Sequence, residues 1–448
     1  MIRRTGARLA PALAALALVA LPACSRHGVD PETRAAGSAP AVGSPSSGPV
    51  PAGSFGSLPK VCGSGSPAGS PGRGVTAGEI NISTLADPGN AFAPGLGQET
   101  FDVANAFVAW CNEAGGINGR KISLSTRDAK ITDVGAKMTE ACQSDFMVVG
   151  SGNVFDQSGV PVREQCALGS IPAFAISPEA AASRYQVMPS PQVAGKSNMG
   201  GPFAAVQRAH PDASRAIGTW YPDTPSVTGV VDDMFAAASK EGLQVVAKVP
   251  TPIQVDNPRP YAQQMKDAGV RLFFATAPDL GPYFTAASDV GFTQDVLMST
   301  TAAYAPLVLE QIQQNGSPKM YVPTFYVPYE LADTSPAVGQ LIEIMQPVVP
   351  RAKLSGAHEA AFDAWLLWAM AATACGDDLT VDCVLAKAGA VTAWDAGGLK
   401  GPVDLSSTSP PDCFVMLRPT ATGWVVDDAV TRPNAGVFNC SPQNVVAV

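Results

Sequence analysis

The sequence predicts an α/β protein of two Rossmann-like lobes, each built on a parallel sheet, with the chain crossing between them more than once. Three observations predict it. Strand-like and helix-like segments alternate in two successive series, the pattern of parallel sheets covered on both faces. A proline-bearing break, Met188-Pro189-Ser190-Pro191, separates the series. Two helical segments, 337–348 and 359–374, follow the second series although the first would want them as cover. The chain has 448 residues, 46% hydrophobic, enough for two cores.

In the first series GEINIST (78–84) reads as a strand. The segment 98–113 reads as a helix, with Phe101, Ala104, Val108 and Cys111 at helical spacing. KISLSTRD (121–128), FMVVG (146–150) and IPAFAIS (171–177) are the next strands, with helices at 132–144 and 155–167 between them. The second series gives strands at AIGTWY (216–221), LQVVAKV (243–249), VRLFFATA (270–277), DVLMSTT (295–301) and MYVPTFYV (320–327). Its helices run through 234–241 and around Tyr261, Phe284 and Leu309. The divisions expected are 75–190 with 327–400 for lobe one and 191–326 with 401–445 for lobe two. Ligands of open α/β sheets bind beyond the carboxyl ends of the strands, which here would face each other across a cleft.

Residues 1–24 read as an export signal. Arg3, Arg4 and Arg8 precede an apolar run, 9–20, too short to span a bilayer comfortably. The run ends in Leu21-Pro22-Ala23-Cys24, which resembles a bacterial lipobox with Cys24 as the lipidated residue. Pro22 departs from the usual box and leaves ordinary signal cleavage as the alternative. Residues 25–74 are dominated by Ser, Gly, Pro and Ala and are expected to form a disordered tether of reach on the order of 40 Å. The apolar segment 360–375 contains Asp363 and is shorter than 18 residues, so it reads as a core helix rather than a span.

Beyond Cys24, eight cysteines remain: Cys62, Cys111, Cys142, Cys166, Cys375, Cys383, Cys413 and Cys440. An even set in an exported chain argues for disulfides, and pairing in sequence order is plausible, although eight cysteines allow 105 connectivities. Metal binding is disfavoured, because C-x-x-C is lacking and only three histidines are present. Net charge is −9 with no dense basic cluster downstream of the N-terminus, which argues against nucleic acid. G-x-S-x-G, G-x-x-x-x-G-K-[ST] and H-E-x-x-H are all missing; His358-Glu359 reads as a helix start. No cofactor is expected.

At AGGINGRKISLSTRDAK (114–130), with GEINISTLADPGN before it and QSDFMVVGSGN after it, the sequence resembles a known family. It is similar to the leucine/isoleucine/valine (branched-chain amino acid) type of ABC-importer solute-binding proteins. The resemblance runs from about Val75 to Asp428. It implies the type I periplasmic binding fold, three crossings and hinge closure on a small molecule. It also implies delivery to an ABC permease by a monomer held to the membrane through its lipid anchor. The glycines and Asn118-Gly119 of this segment read as turn punctuation, without dinucleotide spacing.

The fold implied by the resemblance places the pocket on loops 86–93, 151–157 and 177–182 of lobe one and 222–226, 278–282 and 300–304 of lobe two. Phe92, Phe155 and Tyr304 are its expected apolar walls. Asp87, Asn90, Asn153, Asp156, Ser177, Glu179, Tyr221, Asp223 and Asp279 are its expected polar contacts. For Asp156 and Asp223 a helix N-cap is the competing reading, for Phe155 core packing, and for Ser177 a turn. The amino-acid clamp is weakened: Val154 stands where a serine is expected, 180–182 is all alanine, and TTAAY (300–304) lacks the expected glutamate. The expected ligand is small, polar at one end and partly apolar, and not an ordinary branched-chain amino acid. A surface sensor of the same fold and an exported α/β enzyme are the competing functions.

Overall fold

A computed structural model describes residues 51–448, apart from 69–71, 92, 278, 317–318 and 408. The signal segment 1–24, Cys24, the first half of the expected tether and Phe92 lie outside the described residues.

The first sheet holds β1 (Glu79–Ala86), β2 (Lys121–Asp128), β3 (Met147–Val149) and β4 (Gly169–Ile171), in the order β2-β1-β3-β4, all parallel. A two-residue strand, β5 (Lys196–Ser197), follows the first crossing. The second sheet contains β6 (Ile217–Pro222), β7 (Val245–Thr251), β8 (Leu272–Ala275), β9 (Val296–Ser299) and β10 (Met320–Thr324). Strands β11 (Cys413–Pro419) and β12 (Trp424–Val426) extend it antiparallel, giving the order β12-β11-β10-β9-β8-β6-β7. Short strand β13 (Asn439–Cys440) pairs with β11, and β14 (Val446–Ala447) with β5. The two-lobed α/β architecture is therefore the one the alternation predicted.

Helix placement follows from apolar periodicity. The helix Gln98–Glu113 buries Phe101, Ala104, Val108 and Cys111 against the first sheet and against the helix Gly356–Cys375. Fifteen residues of the latter, which has 20, are buried. A helix apolar on all faces has to run through a core, and this one brings Phe362, Trp365 and Trp368 into the centre of the first lobe.

Three sequence expectations need revision. The strand expected at 171–177 is only Gly169–Ile171. Pro172 has no N–H to continue a ladder, and 172–177 leave the sheet to form a loop. The disordered tether expected to reach residue 74 is anchored at two points in its described part: Phe55, Val61 and Cys62 are buried, and the Phe55 ring lies 5.0 Å from that of Phe362. Composition averaged over Ser, Gly and Pro hid these few apolar anchors. Third, β11 and β12 were not foreseen, because a lone antiparallel pair after the third crossing belongs to neither alternating series.

Disulfides join Cys62–Cys111, Cys142–Cys166, Cys375–Cys383 and Cys413–Cys440. Among the described residues no helix is long and apolar enough to cross a membrane.

Candidate ligand cleft

The loops after β3 and β4 of the first sheet meet the segment that follows β6 of the second. The loop after β3 meets the start of the helix Pro225–Lys240 after β6, where Ser226 Oγ donates to the Val154 carbonyl at 3.1 Å. A Cβ on Gly229 of that helix would lie 4.0 Å from Pro178 of the first lobe. Loops after β3 and β4 therefore oppose the helix start after β6, and this seam is the candidate cleft.

Asp87 organises the first-lobe side. It is buried at the end of β1, where Oδ1 accepts from the Ile131 N–H (2.8 Å) and Asn153 Nδ2 (3.2 Å). Its Oδ2 accepts from the Val154 N–H at 2.9 Å. One carboxylate thus ties together the loops that follow β1, β2 and β3. Asn90 is buried too, and its side chain closes the turn onto Ala93 through Oδ1 and Nδ2. A Cβ on Gly152 would stand 2.2 Å from the Phe174 ring, which would have to move to admit it.

The next layer is self-satisfied as well. Asp156 accepts from the Ile176 N–H (2.6 Å) and the Ser177 N–H (3.1 Å). Burial raises its pKa, and those hydrogen bonds oppose the shift. Ser177 is buried, and its Oγ accepts from the Ala180 N–H at 3.1 Å as the N-cap of a single helical turn. The N-cap reading of Asp156 does not hold, because Phe155 occupies that position and the Asp156 carboxylate clamps the third loop. Phe155, half-buried, precedes the short 3-10 turn Asp156–Gly159, and Glu179 is exposed.

On the second-lobe side the candidates scatter. Tyr221 packs in the core of its own lobe. Asp223 is exposed and accepts from Thr228 Oγ1, while Thr224 is the actual N-cap, with Oγ1 taking the Val227 N–H. Thr224-Pro225 carried that signal, a hydroxyl residue before a proline at the first helical position. Asp279 is exposed and bonds the Gly281 N–H and Gln311 Nε2. Tyr304 is buried; its hydroxyl donates to Glu330 (2.6 Å) and accepts the Tyr329 N–H, and its ring packs on Tyr329 and Trp424. The structure ties Asp87 to Asn153 and Asp156 to Ser177, and it gives Tyr221, Asp223 and Asp279 partners within their own lobe. Ser226, which bonds across the lobes to Val154, was missed, whereas Tyr304 joins the lobes through Glu330, Tyr329 and the Gly356 N–H.

A cavity of about 50 Å³ lies within the first lobe beneath these loops, lined by Ser151, Asn153, Asp156, Arg163, Phe174 and Gln186 among others. It suits water and is far smaller than an organic solute needs. Arg163, whose pKa burial pushes down to about 10, spends its guanidinium on the Arg184 and Tyr185 carbonyls, Ser183 and Gln186.

The family model described as periplasmic binding protein matches residues 79–414, three-quarters of the chain. The chain belongs to the periplasmic binding protein family. Its fold is that of the solute-binding proteins of ABC transporters, which bind small molecules outside the cytoplasm. Among solved structures it resembles a fatty acid ABC transporter substrate-binding protein from Thermomonospora curvata at 18% identity. The TM-score is 0.69, covering 84% of this chain and 96% of that one. A leucine-binding protein from Thermotoga maritima superposes with TM-score 0.63 at 12% identity over 78% and 97% of the two chains. A Rhodopseudomonas palustris solute-binding protein in complex with 3,4-dihydroxybenzoic acid gives 0.63 at 15% over 78% and 95%. No curated protein matches the chain in sequence. This periplasmic binding protein thus shares its fold with proteins of quite different ligands.

Proposed function

We propose that this periplasmic binding protein is a monomeric receptor held to the membrane through a lipidated Cys24. It captures one small molecule between its lobes and hands it to an ABC permease. The ligand is partly apolar with one polar end, and it is not an ordinary branched-chain amino acid. One observation carries the ligand class. The groups that could grip an α-carboxylate on the first-lobe side are already bonded within the chain: Asp156 takes the Ile176 and Ser177 N–H groups, and Ser177 Oγ takes that of Ala180. A second carboxylate brought to this place would meet Asp156 rather than free donors, and like charges at short range repel.

Aliphatic and aromatic solutes ending in a hydroxyl or an amide form the screening set beside the amino acids, with the fatty acid and dihydroxybenzoic acid of the neighbours as carboxylate controls. Calorimetry on the chain lacking 1–24 tests the reading. Binding of a medium-chain or aromatic solute with no measurable heat for leucine or valine is expected. Sub-micromolar leucine or valine binding would overturn the ligand class. Membrane fractionation tests the anchor: Cys24→Ala is expected in the soluble fraction, and its retention would remove the lipid from the account.

A further inference from the structure

A buried ion pair sits where the crossings converge. Asp363, in the middle of the helix Gly356–Cys375, is fully buried, and Lys400 is 4% exposed. Lys400 Nζ lies 2.6 Å from Asp363 Oδ2 and also donates to the Pro189 carbonyl (2.7 Å) and Ser190 Oγ (3.2 Å), so its three protons have three acceptors. Asp363 accepts in addition from Tyr326 OH (3.0 Å) and Trp394 Nε1 (2.6 Å). Charges taken out of water are tolerable only when paired and fully hydrogen-bonded, and this pair is both.

The residues it gathers come from all three connections between the lobes. Pro189 and Ser190 lie on the first, Tyr326 on the second and Lys400 on the third. Tyr326 and Lys400 also form an antiparallel bridge, and the Val327 N–H donates to the Leu399 carbonyl at 2.7 Å. Just past each of these residues the chain is fixed to the other lobe. Lys196 and Ser197 pair with β14, and Gly195 accepts from the Val448 N–H. Thr324 pairs with Val415 of β11, and Phe325 packs on the second-lobe core. Gly401 abuts the Cys413–Cys440 disulfide, since a Cβ there would lie 2.6 Å from Cys413 Sγ.

We propose that Lys400 and Asp363 are positioning residues for lobe closure. They root all three crossings in the first lobe, so bending is confined to 191–194, the Phe325–Tyr326 junction and the Lys400–Gly401 junction. The inference rests on the proposed reading that the lobes close on a ligand, and it concerns where they bend. Neither side chain is among the cleft groups. Tight rooting leaves lobe two a defined rotation instead of a loose swing, because each free gap is at most four residues long. The 192–194 amides, which donate no backbone hydrogen bond, mark the longest gap.

The test uses the folded chain with spin labels on unnatural residues at exposed Thr139 and Asp256, one in each lobe, and reads the interlobe distance distribution without ligand. Asp363→Asn with Lys400→Met removes both charges together, so no lone charge is left buried. A distribution at least twofold wider than that of the parent is expected. Phe292→Leu, a core change within lobe two where the ring packs on Phe273 and Tyr283, serves as a destabilised control and should leave the width unchanged. An unchanged width in the double variant, or equal widening in the control, overturns the inference. Should the double variant fail to fold, hydrogen exchange of the unaltered protein decides. Val327 should be at least 100-fold more protected than 192–194, and equal protection refutes the rooting. If the lobes bend as described but no solute narrows the distribution, the proposed function falls while this inference stands.

Discussion

Replacing Asp87 by alanine is expected to cost this protein more stability than any other single change on the cleft side. The native carboxylate accepts from the Ile131 N–H (2.8 Å), the Val154 N–H (2.9 Å) and Asn153 Nδ2 (3.2 Å) in a buried site. A hydrogen bond to a charged group contributes about 1.5–3 kcal/mol, and a buried donor left unpaired costs about 1–3 kcal/mol. With some relaxation of the loops, Asp87→Ala should therefore lose about 4 kcal/mol. Asp87→Asn separates the contributions. Its carbonyl can keep the two donors that share Oδ1, but its NH2 then confronts the Val154 N–H, so about 2 kcal/mol should be lost. Urea denaturation at pH 7 measures both, read as a shift in midpoint at constant slope. The asparagine variant should fall between parent and alanine. A loss under 1 kcal/mol for alanine, or equal losses for both, would refute the clasp and return Asp87 to a direct ligand-contacting role.

Removing the first disulfide with Cys62→Ser and Cys111→Ser should cost about 4 kcal/mol by loop entropy, given a sequence separation of 49. It should also expose residues 51–62 to protease, which limited proteolysis reads. Ser177→Ala should cost about 1 kcal/mol through its lost N-cap, as urea denaturation would show. His358 is held near a pKa of about 4 by burial, below its ordinary 6.5. The unfolded chain then binds the extra proton between those values, so stability falls as pH drops from 6.5 to 4, by about 3 kcal/mol. His358→Gln, which can keep the capping box with Ser355, should lack that loss when urea midpoints are compared across the window. Neighbouring Glu359 has the opposite sign. Its buried carboxyl is pushed well up, so it costs stability as pH rises above 4.5, and Glu359→Gln should stabilise at pH 7.

Much of the fold was legible because it rests on local period. The strands at 79–86, 121–128, 217–222 and 272–275 and the helices 98–113 and 356–375 bury their apolar positions as the alternation demands. What escaped depends on contacts distant in sequence. Phe55 is an anchor only because Phe362 lies against it, and no local window of Ser, Gly and Pro reveals that. The cleft was legible as a set of loops but not as roles. Asp87 and Asp156 read equally well as ligand contacts, yet their acceptors are filled by N–H groups from loops 44 to 67 residues away in one case and 20 to 21 in the other. Which acidic residue faces its own backbone and which faces a ligand is decided by tertiary approach. The Asp363–Lys400 pair was invisible for the same reason, because its partners, Pro189–Ser190, Tyr326 and Trp394, come from three separate stretches of chain.

The central claim is that one small molecule binds between the lobes, and a thermal-shift screen of the folded chain tests it most directly. Unfolding entropy of about 2.1 cal/mol/K per residue over roughly 400 residues is about 0.8 kcal/mol/K. A ligand at 100 times its Kd adds about 2.7 kcal/mol, so a true ligand should raise the Tm by about 3 °C or more. The account predicts such a shift from at least one aliphatic or aromatic solute bearing a single polar end, and none from leucine, isoleucine or valine. A shift confined to the branched-chain amino acids would contradict it.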